Sequence, residues 1–217
     1  LAIYSLSAKA NLQNADFFYE RGNNKADNRD YEGAISDYTE AIRINPDFGD
    51  AFFERGLAKA NLDDQLGAIS DFTEAIRINP EDTDALVNRG SSKIYLGDDE
   101  GAISDLNKAI KINPKDSYAY GERGLAKINL EDYKSALSDL NKAIKINPKD
   151  SYAYVQRGFI KINEEDFKGA LSDLNEAIKI NPKDDEAYYS IGFAKNSLKD
   201  YEGAISDLNK AIEIAPD

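Results

Sequence analysis

The 217-residue chain has no cysteine and no histidine. Without cysteine there is no disulfide and no thiol nucleophile, and the redox state of the compartment leaves no mark. Without histidine the side chain that titrates near neutrality is missing. Together these absences exclude the usual nucleophile–base pairs and most transition-metal sites. An Asp-x-Asp-x-Asp-Gly calcium loop is also lacking. No apolar run approaches the ~20 residues of a membrane-spanning helix, and there is no Asn-x-Ser/Thr glycosylation site. Basic residues are in deficit, 27 Lys and Arg against 40 Asp and Glu, for a net charge of −13. Nucleic acid and anionic membrane surfaces call for a basic face, so neither is an expected partner. Carboxylate pairs remain at Asp63-Asp64, Asp98-Asp99, Glu131-Asp132 and Glu164-Glu165-Asp166. They recur at one point of a repeating pattern, which marks solvated turn residues and not the two acids of a glycosidase. The chain is read as non-catalytic, with no cofactor and no metal.

Proline is scarce, and its placement organises the chain. Pro46, Pro80, Pro114, Pro148, Pro182 and Pro216 are all the prolines, and each follows the last by 34 residues. Residues 104–120 and 138–154 are the same seventeen-residue string, SDLNKAIKINPKDSYAY. The period predicts six units at 15–48, 49–82, 83–116, 117–150, 151–184 and 185–217. Each is too small to fold alone and must bury its apolar face on its neighbours. By unit the charge runs −4, −5, −1, +1, −1 and −4, so the ends are acidic and would steer basic partners.

Within a unit the apolar positions fall at three- and four-residue steps. In 117–150, Ala119, Tyr120, Gly124, Ala126 and Leu130 mark one helix, and Ala136, Leu137, Leu140, Ala143, Ile144 and Ile146 mark a second. Asn147-Pro148 stops the second helix, and Asp150 or Ser151 caps the next. Gly22, Gly56, Gly90, Gly124, Gly158 and Gly192 form one row; Ala34, Ala68, Ala102, Ala136, Ala170 and Ala204 form another. Glycine inside a helix costs about 0.5–1 kcal/mol against alanine. Six repetitions predict a close helix–helix approach at the Gly–Ala contact. Residues 1–14 are read either as a helix packed on the first unit or, from Ala8-Lys9-Ala10, as the end of a secretory leader. The compartment follows that choice: cytoplasmic in the first case, exported in the second. The last unit carries no further polar helix, so Ile205, Leu208, Ile212 and Ile214 are expected to be partly bare, which makes self-association through the ends an alternative role.

The row Phe18, Phe52, Leu86, Tyr120, Tyr154, Tyr188 stands four residues before each Gly. The Ala row stands twelve after it, followed by Tyr38, Phe72, Leu106, Leu140, Leu174, Leu208, by a second Ala row from Ala41 to Ala211, and by the prolines. This pattern resembles the tetratricopeptide repeat, a 34-residue helix–turn–helix family. The resemblance implies an all-α, right-handed superhelical solenoid of antiparallel helix pairs, whose first helices line a concave groove that binds protein segments, without enzymatic activity. The chain departs from the pattern where the family has Leu before the Gly and an aromatic three after it. Here Arg21, Arg55, Arg89, Arg123 and Arg157 precede the Gly, with Ile191 in the sixth unit. Lys25, Lys59, Lys93, Lys127, Lys161 and Lys195 stand three after it. Arg and Lys four apart repel unless an anion lies between them. The row Asp37, Asp71, Asp105, Asp139, Asp173, Asp207 supplies one, which predicts an Arg–Asp–Lys bridge in each unit. The rival reading presents the Arg row to an acidic ligand.

The groove face is read from rows that vary between units: Tyr19, Phe53, Leu57, Val87, Leu125, Ile128, Val155, Phe159, Ile162, Tyr189 and Phe193. Their spacing keeps them on one side of the first helices. They either bind a partner or pack between neighbouring helices. The expected partner is a protein or peptide segment, amphipathic or apolar and suited to carrying basic residues. The family's clamp for acidic chain ends uses Lys, Arg and Asn along this face. Tyr19, Asn23, Asn88, Tyr118 and Glu122 mostly lack them, which disfavours the C-terminal peptide of certain chaperones.

Overall fold

An aspartate stands wherever the helical periodicity breaks, as at Asp64, Asp98, Asp116 and Asp150, and its side chain starts the next helix. In the computed structural model, which describes residues 2–216 and their side chains from Asn14 onward, the described residues form twelve α-helices and no strand. They are α1 Ala2–Asp27, α2 Tyr31–Ile44, α3 Gly49–Asn61, α4 Gln65–Ile78, α5 Thr83–Tyr95, α6 Asp99–Ile112, α7 Ser117–Asn129, α8 Tyr133–Ile146, α9 Ser151–Asn163, α10 Phe167–Ile180, α11 Asp185–Ser197 and α12 Tyr201–Ile214. Odd-numbered helices are the first of each pair and even-numbered helices the second. Residues 2–14 continue α1; the packing expected of residues 1–13 falls outside the described side chains.

The turn inside each pair is built the same way. In the first, Arg29 N–H donates to Ala26 and Asp30 N–H to Lys25, the double bond of a Schellman ending. The residue after the helix is left-handed throughout: Arg29, Asp63, Gly97, Glu131, Glu165 and Lys199 have φ between 60° and 80°. Only Gly97 takes this conformation without crowding a Cβ. The aspartate that follows caps the second helix, as when Asp64 accepts from Gly67 N–H at 2.9 Å. The acidic pairs Asp63-Asp64, Glu131-Asp132 and Glu165-Asp166 are therefore halves of a helix ending and a helix start, whereas Asp98-Asp99, after Gly97, both belong to the start. Between pairs, Asp150 and not Ser151 caps α9, accepting from Ala153 N–H at 3.1 Å. Asp82, Asp116 and Asp184 do the same. Phe48 stands in this position before α3 and makes no such bond; its ring lies 4.9 Å from that of Tyr19 instead.

The chain folds as two compact units, residues 1–113 and 114–217. Inside each, every helix packs on the next in sequence. First helices also touch the next first helix, α1 on α3 and α3 on α5, α7 on α9 and α9 on α11, whereas among the described residues no two second helices meet. Each unit is thus tighter on its first-helix side. The core is a chain of small clusters, for example Leu140, Ala143, Ala153 and Ile160 in the second unit, rather than one centre.

The glycine row contacts a different group from the one its spacing suggests. A Cβ on Gly56 would lie 2.7 Å from the Phe72 ring, on Gly22 2.6 Å from Tyr38, and on Gly158 2.9 Å from Leu174. The large side chain sixteen residues on fills the space above the glycine. The alanine row enters behind it through backbone, Ala136 O lying 3.7 Å from a Cβ placed on Gly124. The alanine must be small so that its helix comes close; the glycine must lack a side chain so that the ring or Leu can lie over it.

Candidate functional site

Arginine and lysine four apart on a first helix converge on the aspartate of the second helix. Arg89 donates from Nε and Nη2 to both carboxylate oxygens of Asp105, at 2.8 and 2.7 Å. Lys93 Nζ reaches Oδ2 at 2.8 Å and the Gly101 carbonyl at 3.3 Å. The same bidentate fork and lysine hold Asp37 with Arg21 and Lys25, Asp71 with Arg55 and Lys59, Asp139 with Arg123 and Lys127, and Asp173 with Arg157 and Lys161. In the sixth pair Ile191 is buried and Asp207 keeps Lys195 alone, at 2.6 Å. Burial pushes the carboxyls of Asp105 and Asp173 up, but the guanidinium and ammonium beside each outweigh it and hold both below the ordinary value. At Asp37 the Arg21 hydrogen bond dominates, with the same downward result.

The arginine has a second acceptor that the spacing analysis missed. Arg55 Nη1 donates to Thr39 Oγ1 at 3.0 Å, Arg89 to Thr73 at 3.0 Å, and Arg157 to Asn141 Oδ1 at 2.7 Å. Each guanidinium therefore joins the second helix of its own pair, sixteen residues on, to the second helix of the preceding pair, sixteen residues back. The signal was present: the position after the large core residue is always Thr or Asn, namely Thr39, Thr73, Asn107, Asn141, Asn175 and Asn209. Phe52, Tyr120 and Tyr154 lie under Arg55, Arg123 and Arg157 at 5.4–5.5 Å. In Arg55, Arg89 and Arg157 three nitrogens are occupied, so an acidic ligand would have to displace internal partners.

The varied rows divide. Val87, Ile128 and Val155 are buried and pack inside the stack, so they offer nothing to a partner. Tyr19 and Phe53 are half-buried, their rings 6.0 Å from Tyr38 and 5.8 Å from Phe72. Leu57, Leu125 and Ile162 are also half-buried. Asn23 accepts from the Tyr38 hydroxyl at 2.8 Å and is committed to the core. Phe159, Tyr189 and Phe193 are 41%, 60% and 46% exposed. With Ile162, Asn163 and Ser190 they line a cleft of about 210 Å³ between α9 and α11.

The first unit presents a different face. Asp16, Glu20 and Asp27 on α1, Asp50 and Glu54 on α3, and Asp84 on α5 stand at i, i+4 and i+11 positions of one stripe. None of them forms an ion pair among the described residues. Burial and the nearby charges of Asp50 and Asp27 push the Glu54 carboxyl above its ordinary value.

A family model described as tetratricopeptide repeat matches residues 83–116, 117–150, 151–184 and 185–217, and another of the same description matches 19–83. The chain is a tetratricopeptide repeat protein. A search of curated proteins finds no match. Among solved structures it is similar to a tetratricopeptide repeat protein from Parabacteroides merdae, at 22% identity over 93% of this chain and 80% of that one, with a TM-score of 0.77. It is similar to a chain of the APC/C Cut9–Hcn1 hetero-tetramer at 19% identity over 94% of this chain and 40% of that one, TM-score 0.84. It is also similar to YrrB, described as a TPR protein with an unusual peptide-binding site, at 23% identity over 83% and 93% of the two chains, TM-score 0.60. At these identities the likeness shows the fold, an all-α helical-repeat solenoid. Tetratricopeptide repeat proteins bind peptides and proteins, are typically interaction scaffolds, and are generally non-catalytic. No described helix is long and apolar enough to cross a membrane.

Proposed function

We propose that this tetratricopeptide repeat protein is a non-catalytic scaffold that holds a segment of a partner protein on its first-helix face. The observation that carries the reading is the cleft at Phe159, Ile162, Tyr189 and Phe193, where three aromatic residues stay 41–60% exposed. Completing the burial of one such half-exposed ring is worth about 1 kcal/mol, roughly half of full burial, and aromatic anchors seated in a pocket dominate interface energies. The cleft admits one large apolar side chain of an amphipathic or extended segment. Taken by itself, the first unit, with its unpaired carboxylates, favours a segment that carries basic residues. The contact between successive first helices supports a groove on that side.

A displayed library of random peptides tests the reading. The wild-type chain is expected to enrich peptides with an aromatic or large aliphatic anchor, and the Phe159→Ser/Phe193→Ser variant to lose them while melting like wild type. Equal enrichment by both proteins, or none by either, refutes it.

A further inference from the structure

The outward stripe of α8 reverses the charges found at the same positions in the first unit. On α2 and α4 each cation meets a carboxylate. Arg43 is bound to Glu40 and Arg77 to Glu74, both at 2.8 Å, and Arg77 also reaches Asp47 of the preceding proline turn at 3.2 Å. On α8 the positions of Glu40 and Arg43 are Lys142 and Lys145, and the position of Asp47 is Lys149. The first helical turn changes in the same direction. Glu32 and Glu202 stand there in α2 and α12, Lys134 and Lys168 in α8 and α10.

Nothing inside the chain answers these charges. Lys134, Lys142, Lys145 and Lys149 are exposed, and among the described residues none of them forms an ion pair. Between residues 132 and 150 the carboxylates are Asp132 and Asp150, which cap helices, and Asp139, which is held in its buried bridge. Local energetics oppose the arrangement. A cation at a helix N-terminus, as at Lys134 and Lys168, works against the helix dipole. Like charges three residues apart, as at Lys142 and Lys145, repel. Lys145 alone gains from the dipole, at the C-terminal end. Such conflicts with no internal gain mark functional positions.

The stripe is short. Lys134 and Lys145 lie about 16 Å apart along the helix axis. Ser138 and Asn141 stand between them, with no aromatic ring on which a base could stack. The rest of the unit is acidic: residues 114–217 hold 15 Lys and Arg against 19 Asp and Glu. A long polyanion, whether a nucleic-acid strand or an anionic membrane, would run past the stripe onto a repelling surface. A short run of carboxylates ends within it.

We propose that the α8 stripe of Lys134, Lys142, Lys145 and Lys149 docks an acidic segment of a partner polypeptide, whose Asp and Glu side chains pair with the lysines. Flexible ammonium groups suit carboxylates that arrive in no fixed orientation. The stripe lies on a second helix, away from the cleft of α9 and α11, so the inference stands apart from the function proposed above.

The probe is a fluorescein-labelled decaglutamate peptide. Anisotropy with the full chain in about 0.1 M salt is expected to show saturable binding that weakens as salt rises. Lys142→Glu/Lys149→Glu should weaken it about tenfold or more. That variant restores the first unit's pattern around Lys145, so it should melt at or above the wild-type temperature while losing the peptide. Arg43→Glu/Arg77→Glu changes the net charge equally and should bind the peptide unchanged. Absence of saturable binding overturns the proposal, as does binding that the lysine variant retains or an equal loss in the arginine variant. Equally tight binding of decathymidylate would assign the stripe to nucleic acid and overturn it. Self-association in sedimentation that the lysine variant abolishes would assign the stripe to a second copy and overturn it too.

Discussion

In residues 1–113 the stripe of the first helices is acidic, with Asp16, Glu20, Asp27, Asp50, Glu54 and Asp84, and its aromatics Tyr19 and Phe53 lean on core rings. In residues 114–217 the same positions carry Tyr118, Glu122, Tyr152, Gln156, Glu186 and Ser190, and beside them Phe159, Tyr189 and Phe193 around the cleft are open to water. The scaffold rows barely change between the two: glycine faces a large side chain, aspartate holds arginine and lysine, and aspartate caps the second helix. Positions that bear packing or buried charge tolerate few side chains, because a cavity, a clash or an unpaired ion costs several kcal/mol. Positions on the first-helix face carry no such load and can be set separately in each unit. A second difference lies deeper. The first unit puts Tyr38 and Phe72 over the glycine in its first two pairs and Leu106 in its third, whereas every pair of the second unit puts leucine there.

Asp105→Ala is the largest break of what the units share. It strands Arg89 and Lys93 beside the core and is expected to cost about 3–5 kcal/mol, read as a lowered denaturant midpoint. Asp173→Ala in the second unit should match it if the bridge is a common scaffold device. Alanine at the glycine row comes next and should separate pairs with a ring over the glycine from pairs with leucine there, even within the first unit. Gly56→Ala forces its methyl into the rigid Phe72 ring and is expected to cost about 1–3 kcal/mol. At Gly90 the nearest atom, 3.1 Å away, belongs to the more yielding Leu106, and the gain in helix propensity of about 1 kcal/mol should leave Gly90→Ala near neutral. A paired thermal melt decides this.

Charge gives a smaller effect of opposite sign. The raised Glu54 carboxyl is a strained anion, so Glu54→Gln should stabilise the first unit at neutral pH by about 0.5 kcal/mol. The gain should vanish as pH falls through the carboxylate range and Glu54 itself protonates. In that range the bridges act the other way. Asp37, Asp105 and Asp173 are held below their ordinary values, so their contribution is complete above about pH 4 and is lost as pH falls through the lowered values. Melts from pH 7 to pH 2 should show stability declining while the two proteins converge. The smallest change is at the left-handed turn residues. Glu131→Gly should stabilise and Gly97→Ala destabilise, each by about 1 kcal/mol, as single-site chemical denaturation would show.

Much of this was legible in the chain. The spacing of the prolines and the Arg, Lys and Asp rows pointed to the helix pairs and to which charges meet, because both depend on separations of three, four and sixteen residues within one pair. The Thr and Asn acceptors were overlooked because their partner lies in the next pair. The buried state of Val87, Ile128 and Val155 was not readable either: valine and isoleucine on a helix face look alike whether a neighbouring helix or a ligand covers them. Phe159, Tyr189 and Phe193 are exposed, but nothing in the sequence separates them from Phe53, whose ring packs near Phe72.

By itself the sequence determined the repeat, the helices, their caps and the pairing of charge within each pair, since these are short-range matters of backbone preference and spacing. Only the tertiary structure decided which apolar side chains of the first helices are left in water. Those depend on how much area each neighbour covers, and that is a property of the stack and not of any one residue.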